Sequence, residues 1–306
     1  MMSFMLLPFI VFSTAIAGPR VHLTIDDLPY QVERTTPMPL DAEQATAFND
    51  RLIQTLGMRA VKASVFFNCV RLQDGDEIVE KWNKGGHAVG NHSHTHVPLN
   101  EVGPEEFLGD VTTCHEILTA RLDEPPTLFR YPYLGHGDGK EARDNAKKGL
   151  QDIGYRNVPV TIATTEWMYG YAYRRAKNTP DAVQMARVVT DFHRHMDEAL
   201  ENGQKLAAET PGNEVTHIVL VHMNELVVDH IADVIDRWQS NGVEFVDVQT
   251  AMADPVYAME NKYDGKGGIS WLMRIRPEGD RGDYWFGEEE ARVVEKFGPM
   301  PVKGEE

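Results

Sequence analysis

The feature that most restricts how this chain can fold is an alternation of two patterns. Short apolar, β-branched segments recur at residues 21–25, 63–67, 87–90, 127–129, 157–162, 217–221 and 244–246, with helical patterns between them. Such an alternation predicts a parallel sheet covered by helices, an α/β fold. The clearest helix follows Pro39 and Leu40: Asp41 is placed to cap it, and Ala45, Phe48, Leu52 and Leu56 fall on one face. Further helices read from 104 to 121, with Phe107, Val111 and Leu118 inward, and from 180 to about 201.

A chain of 306 residues with 42% hydrophobic content can bury one large core, and an α/β barrel is within its reach. No internal repeat, low-complexity tract or Pro/Gly/Ser linker interrupts it before residue 255, so one domain is expected from about 19 to 255. After Asp254-Pro255 the alternation stops. A Gly-rich stretch (264–268) leads to the acidic residues 288–290 and a polar tail, and 256–306 reads as a partly packed C-terminal extension with a loose end.

The net charge of −17 would repel a phosphate backbone or an anionic membrane surface, so nucleic acid is not an expected partner. Nothing in the sequence specifies a partner subunit. Residues 4–17 are apolar apart from Pro8, Ser13 and Thr14 and close on Ala15-Ile16-Ala17, the pattern of a secretory signal peptide over 1–17. The stretch is shorter than the roughly 20 apolar residues a bilayer needs, so no stable membrane anchor is expected. A secreted or periplasmic protein beginning near Gly18 follows. No Lys or Arg precedes the stretch, and the other reading is a buried N-terminal element of a cytoplasmic protein. Cys69 and Cys114 are the only cysteines; the fold is expected to rest on its core, with two free buried thiols at least as ready a reading as a bridge.

The residues that carry chemistry fall just after strand ends: Asp26-Asp27, His92 to His96, Arg130 to Tyr133, Glu166-Trp167 and His222. In parallel α/β barrels the loops at the carboxyl ends of the strands surround one mouth, so these groups are expected to meet there. Two adjacent carboxylates repel unless a cation or proton lies between them. A metal on one and a base role for the other would resolve this, although a turn pair before Leu28-Pro29 also accounts for them. His92, His94 and His96 supply three imidazoles in five residues. A helical turn would put His92 and His96 on one face, whereas an extended strand would align all three. His222 ends the apolar run 218–221 and is a candidate general acid, against the ordinary reading of a core histidine bonded to backbone. Arg130 is a candidate fixed cation near the carboxylates. Tyr169, Tyr171 and Tyr173 alternate, and would align as sugar-stacking rings if extended or simply pack a loop. His136 and Asp138 lie in a Gly-rich loop that a tight turn explains as well as substrate contact does.

Thr24-Ile25-Asp26-Asp27, His92-Ser93-His94-Thr95-His96, Arg130-Tyr131-Pro132-Tyr133 and Leu220-Val221-His222, in that order, resemble the motifs of the polysaccharide deacetylases. These form carbohydrate esterase family four, with the NodB-homology domain, and the resemblance runs from about Val21 to Asp254. It implies a distorted (β/α)7 barrel in which Asp27, His92 and His96 hold one divalent metal, usually zinc, with Co2+, Mn2+, Ni2+ and Fe2+ as other candidates. His94 drops out of the ligand set. Asp26 becomes the general base, Arg130 its orienting partner and His222 the general acid. The Tyr133 backbone N–H would bind the oxyanion, with Tyr133 also contacting substrate. Ser93 would brace the histidine loop and Trp167 line the groove. The family's supporting Asp is Glu166 here, one methylene longer, which leaves open whether it reaches His222. The implied activity is hydrolysis of N-acetyl groups from a carbohydrate substrate, an amino-sugar oligomer or polymer of chitin-like or peptidoglycan-like material. A formamide, ureide or acetyl-xylan substrate suits the same barrel. A non-catalytic carbohydrate-binding protein is the reading from another class, and the retention of every acid, base and metal candidate speaks against it.

Overall fold

The computed structural model describes residues 18–31, 42–179, 181–210, 214–280 and 286–299. The signal-like segment 1–17 and the Asp41 cap lie outside them. The elements run β1 (Arg20–Leu28), α1 (Ala42–Met58), β2 (Ser64–Phe67), α2 (Ile78–Lys84), β3 (Ala88–Asn91), α3 (Leu99–Thr119), β4 (Leu128–Phe129) and α4 (Gly139–Ile153). They continue with β5 (Arg156–Asn157), β6 (Ile162–Ala163), α5 (Glu166–Asn178), α6 (Ala182–Ala208), β7 (His217–His222), α7 (Glu225–Ser240) and β8 (Glu244–Phe245). Three short helices follow: α8 (Val248–Met252), α9 (Trp271–Arg274) and α10 (Phe286–Phe297).

The strands form one parallel sheet in the order β5-β4-β3-β2-β1-β7-β6, with β8 beside the start of β1. Helices surround this sheet, which curls into a half-barrel. Residues 157–162, expected as one strand, are two. Asn157 pairs with Phe129 on one edge of the sheet, and Ile162 pairs with Val219 on the other. The four residues between them carry the chain from edge to edge, so the circle is closed by covalent backbone where a barrel would use a ladder. An apolar run of six residues reads as a single strand because composition cannot register a change of partner.

β1 is central and buried from Val21 to Leu28, and its alternation sorts two environments. Val21, Leu23 and Ile25 join the core beneath the helices, packed with Leu52, Leu56, Val65, Val219 and Ile231. His22, Thr24 and Asp26 share the opposite face, where His22 Nε2 meets Ser64 Oγ at 2.8 Å and Thr24 Oγ1 donates to the Val219 carbonyl. A second core lies on that inner side. Phe66 and Ile218 from the sheet pack with Val256, Tyr257, Trp271, Leu272 and Ile275, so residues beyond 255 fill space that the half-barrel leaves open.

Local chemistry explains where the helices differ from expectation. Gly103, at φ +79°, breaks α3, and Pro104 restarts it as a first-turn residue, the start that the sequence pattern marks. Residues 166–178, read as a loop with alternating tyrosines, form α5. Tyr169 and Tyr173 are therefore four apart on one buried face, and Tyr171 is turned against Trp167 with ring centroids 5.8 Å apart. The tyrosine ladder does not exist, because positions spaced by two lie on different faces of a helix. Cys69 and Cys114 are joined as a disulfide, with Cα atoms 5.2 Å apart, tying the turn after β2 to α3. Among the described residues no helix is long and apolar enough to cross a membrane.

Candidate active site

β1 ends by placing two consecutive carboxylates in different surroundings. Asp27 takes φ +66°, a left-handed conformation that Asp tolerates better than most residues. Its Oδ1 lies 3.5 Å from His96 Nε2 and 3.9 Å from His92 Nε2. One donor atom from each of Asp27, His92 and His96 falls within a 4.8 Å cluster. His92 Nδ1 donates to the Arg130 carbonyl at 2.8 Å, which leaves Nε2 unprotonated and facing the carboxylates. Burial, joined by the neighbouring His96, pushes the His92 imidazole well below its ordinary value. Burial also pushes Asp27 up, but His96, Arg71, His222 and His92 outweigh it and hold this carboxyl below the usual range. Asp27 Oδ1 is buried without a hydrogen-bond partner among the described residues. Two imidazole nitrogens and one carboxylate oxygen converging on an unsatisfied point fit a borderline first-row cation such as Zn2+. His94 is outside the cluster.

Asp26 faces the other way. Its Oδ2 lies 3.8 Å from Arg130 Nη1, an ion pair without a hydrogen bond, and 3.7 Å from His92 Nε2. Burial raises the Asp26 carboxyl to about 6 against the opposing pull of Arg130, close to neutrality for a proton acceptor. Arg130, buried at the end of β4, is steadied by donation from Nη2 to Thr24 Oγ1 at 2.9 Å and lies over the Phe66 ring.

Tyr133 sits in a tight turn after Arg130, with Tyr133 at φ +55° and Leu134 at φ +51°. Its ring packs 4.4 Å from that of His96 and is 46% exposed at the mouth. Across the mouth stands His222, at the end of β7. Its Nδ1 lies 3.0 Å from Glu166 Oε2, so the longer side chain does reach. Glu166 is fully buried at the start of α5, where Oε1 accepts from the His222 and Asn224 N–H groups and Oε2 from Thr164 Oγ1. Burial alone would lower the His222 imidazole; the charge and hydrogen bond of Glu166, with Asp27 and Asp26, reverse this and raise it to about 9.

A sequence profile described as Polysaccharide deacetylase matches residues 15–158, a span that holds Asp26, Asp27, His92, His96, Arg130 and Tyr133. The chain is similar to a chitin deacetylase of Arthroderma benhamiae, 21% identical over 241 residues, covering 77% of this chain and 52% of that protein. It is similar as well to a peptidoglycan-N-acetylglucosamine deacetylase of Bacillus cereus, 26% identical over 160 residues, covering 51% and 50%. The chain thus spans about half the length of these curated relatives. Its fold matches a polysaccharide deacetylase structure from Bacillus cereus with a TM-score of 0.52 at 17% identity, over 76% of this chain and 94% of that one. Over residues 15–158 the chain is similar to the polysaccharide deacetylase family.

Several supports of this site carry no signal in the sequence. Asp110, on α3, accepts from the backbone N–H groups of His94 and Thr95 and from Thr95 Oγ1, so it is the clamp of the histidine loop. Asn68 donates to the His92 carbonyl, and Asn91 accepts from the Ser93 N–H. Ser93 Oγ is buried without a partner among the described residues, while the Ser93 carbonyl accepts from the Cys69 N–H. Arg71 lies 3.6 Å from Asp27 Oδ1. From the C-terminal segment, Arg274 Nη2 donates to the Leu134 carbonyl at 2.6 Å, and Gly268 lies so close to the Tyr133 carbonyl that no side chain could stand there. Together these hold the left-handed turn from behind. Beneath α5, Glu289 of α10 meets His195 Nδ1 at 3.3 Å, and His195 Nε2 accepts from the Thr165 N–H, one residue before Glu166.

Trp167 is half-buried against Tyr171. His136 is buried, stacked on Tyr131, and Asp138 is paired at the surface with Lys266.

Proposed function

We propose that the chain is a metal-dependent hydrolase that removes N-acetyl groups from an amino-sugar oligomer or polymer, chitin-like or peptidoglycan-like, in an extracellular or periplasmic setting. The observation that carries this reading is the opposition of two acid–base pairs across one cluster of metal donors: Asp26 with Arg130 on one side, His222 with Glu166 on the other.

Asp27, His92 and His96 would hold the ion, which when bound supplies Lewis-acid polarisation of the acyl group and of water. Asp26, raised toward neutrality, is suited to take a proton from the attacking water at its Oδ oxygens. Arg130 fixes that carboxylate without a hydrogen bond that would consume its basicity. The left-handed turn at Tyr133 lies beside His96, where a backbone N–H is suited to receive the developing oxyanion. His222, held protonated at neutral pH by Glu166, is suited to give its Nε2 proton to the departing amine. An amine leaves poorly unless protonated, so this pairing favours amide over ester cleavage.

The test is release of acetate by zinc-loaded protein from chitooligosaccharides, peptidoglycan fragments and acetyl-xylan, with product masses recorded. Acetate from an amino sugar, lost in Asp26→Asn and His222→Ala, supports the reading. Turnover unchanged in both variants would overturn the mechanism, and activity on acetyl-xylan alone would overturn the substrate.

A further inference from the structure

The helical layer holds a second convergence of metal-binding side chains, away from the barrel mouth. His230 and Asp233 stand three residues apart on α7, which puts them on one face, and His193 comes from α6, which packs against α7. Asp233 Oδ2 lies 3.7 Å from His193 Nε2 and 3.7 Å from His230 Nδ1, and the three atoms fall within 4.8 Å of one another. These distances are too long for hydrogen bonds.

The surrounding bonds define which atoms carry protons. Tyr173 donates its hydroxyl to Asp229 Oδ2 at 2.9 Å, so His230 Nε2, 3.3 Å from the same phenol oxygen, must be the donor to it. That tautomer leaves His230 Nδ1 as a lone pair facing a carboxylate oxygen. His193 Nε2 is shielded from solvent and makes no hydrogen bond with any described residue. Burial and the nearby Arg237 hold the His193 imidazole below its ordinary value, which favours its unprotonated form. The Arg237 charge is itself engaged by Asp197 at 2.9 Å. Three electron-pair donors thus point at one spot, with Tyr173 orienting one of them in the manner typical of a metal-ligating histidine.

We propose that His193, His230 and Asp233 form a second divalent-cation site, taking a borderline first-row ion such as Zn2+ and bridging α6 to α7. Donors around tetrahedral zinc stand ~3.4 Å apart, so each of the two Asp–His distances needs to close by a few tenths of an ångström. Asp233 is more than half exposed and has the freedom to make them. The remaining position belongs to water.

The experiment is zinc stoichiometry of the full chain after dialysis against a fixed free-zinc concentration, counted by mass spectrometry of the metal. His193→Ala and Asp233→Ala are expected each to lower the count by one zinc per chain. The same loss is expected in a His92→Ala/His96→Ala background, where any remaining zinc belongs to this site whatever becomes of the activity. In that background zinc should also raise the melting temperature, and Asp233→Ala should abolish the rise. A zinc count that is the same with and without His193 and Asp233 would overturn the proposal.

Discussion

Glu166 Oε2 and His222 Nδ1 lie 3.0 Å apart, and the pair is sealed by Asn224, Thr164 and the His222 backbone. The extra methylene of Glu over Asp is absorbed by starting α5 at Glu166, which sets the carboxylate under the end of β7.

This pair fixes a pH dependence. In the metal-free protein His222 titrates near 9, above its ordinary 6.5, so the stability it contributes is complete below about 6.5 and is lost as pH rises through about 9. In Glu166→Gln the His222 titration, followed by NMR of the imidazole protons, is expected to move down toward 6.5. An unmoved titration would show that Glu166 does not hold the proton.

Asp26 and Asp27 should separate cleanly by substitution. Asp26→Asn is expected to lower kcat by about 10²- to 10⁴-fold while zinc binding is retained. Asp27→Asn should lose zinc affinity and activity together. Equal loss of zinc in both would contradict the division of labour between the two carboxylates.

The histidine loop offers a finer distinction. His92→Ala and His96→Ala are expected to abolish zinc binding at the mouth, and His94→Ala to leave it intact. Asp110→Ala, which touches no ligand side chain but removes the clamp on the His94 and Thr95 N–H groups, should weaken zinc binding there by about 10- to 100-fold. Zinc titrations in a His193→Ala background read this site alone.

The Cys69–Cys114 disulfide closes a loop across 45 residues of sequence. Chain entropy assigns such a loop about 4 kcal/mol of stabilisation. Reduction, or the double Cys→Ser variant, should lower denaturant stability by an amount of that order. It should also loosen the histidine loop, whose Ser93 and His94 carbonyls bond to the Cys69 and Val70 N–H groups.

Glu289 anchors α10 through Tyr169, Arg194, Arg292 and His195. Glu289→Ala removes the acceptor that Tyr169, His195 and the two arginines share and should cost about 1–3 kcal/mol. If the His195–Thr165 link positions Glu166, kcat should fall in the same variant while KM holds. A stability loss with unchanged kcat would restrict α10 to a structural role.

Much of this was legible in one dimension because a parallel α/β fold writes its strands as apolar runs and leaves chemistry at their ends. β1, β2, β3, β4, β7 and β8 fall where the pattern puts them, and Asp26, Asp27, His92, His96, Arg130, Tyr133, Glu166 and His222 all lie in the last residues of a strand or just beyond one. Residues 157–162 misled because hydrophobicity does not say which neighbour a strand will choose. The tyrosines misled because a spacing of two has meaning only once strand or helix is known.

Residue types and their order along the chain therefore determined the fold class and the chemical inventory. Tertiary structure alone decided that Glu166 reaches His222, that the two cysteines pair, and that Asp110 and the segment after residue 255 hold the site in shape. Each of these depends on distances between groups remote in sequence, and such distances exist only once the core has packed.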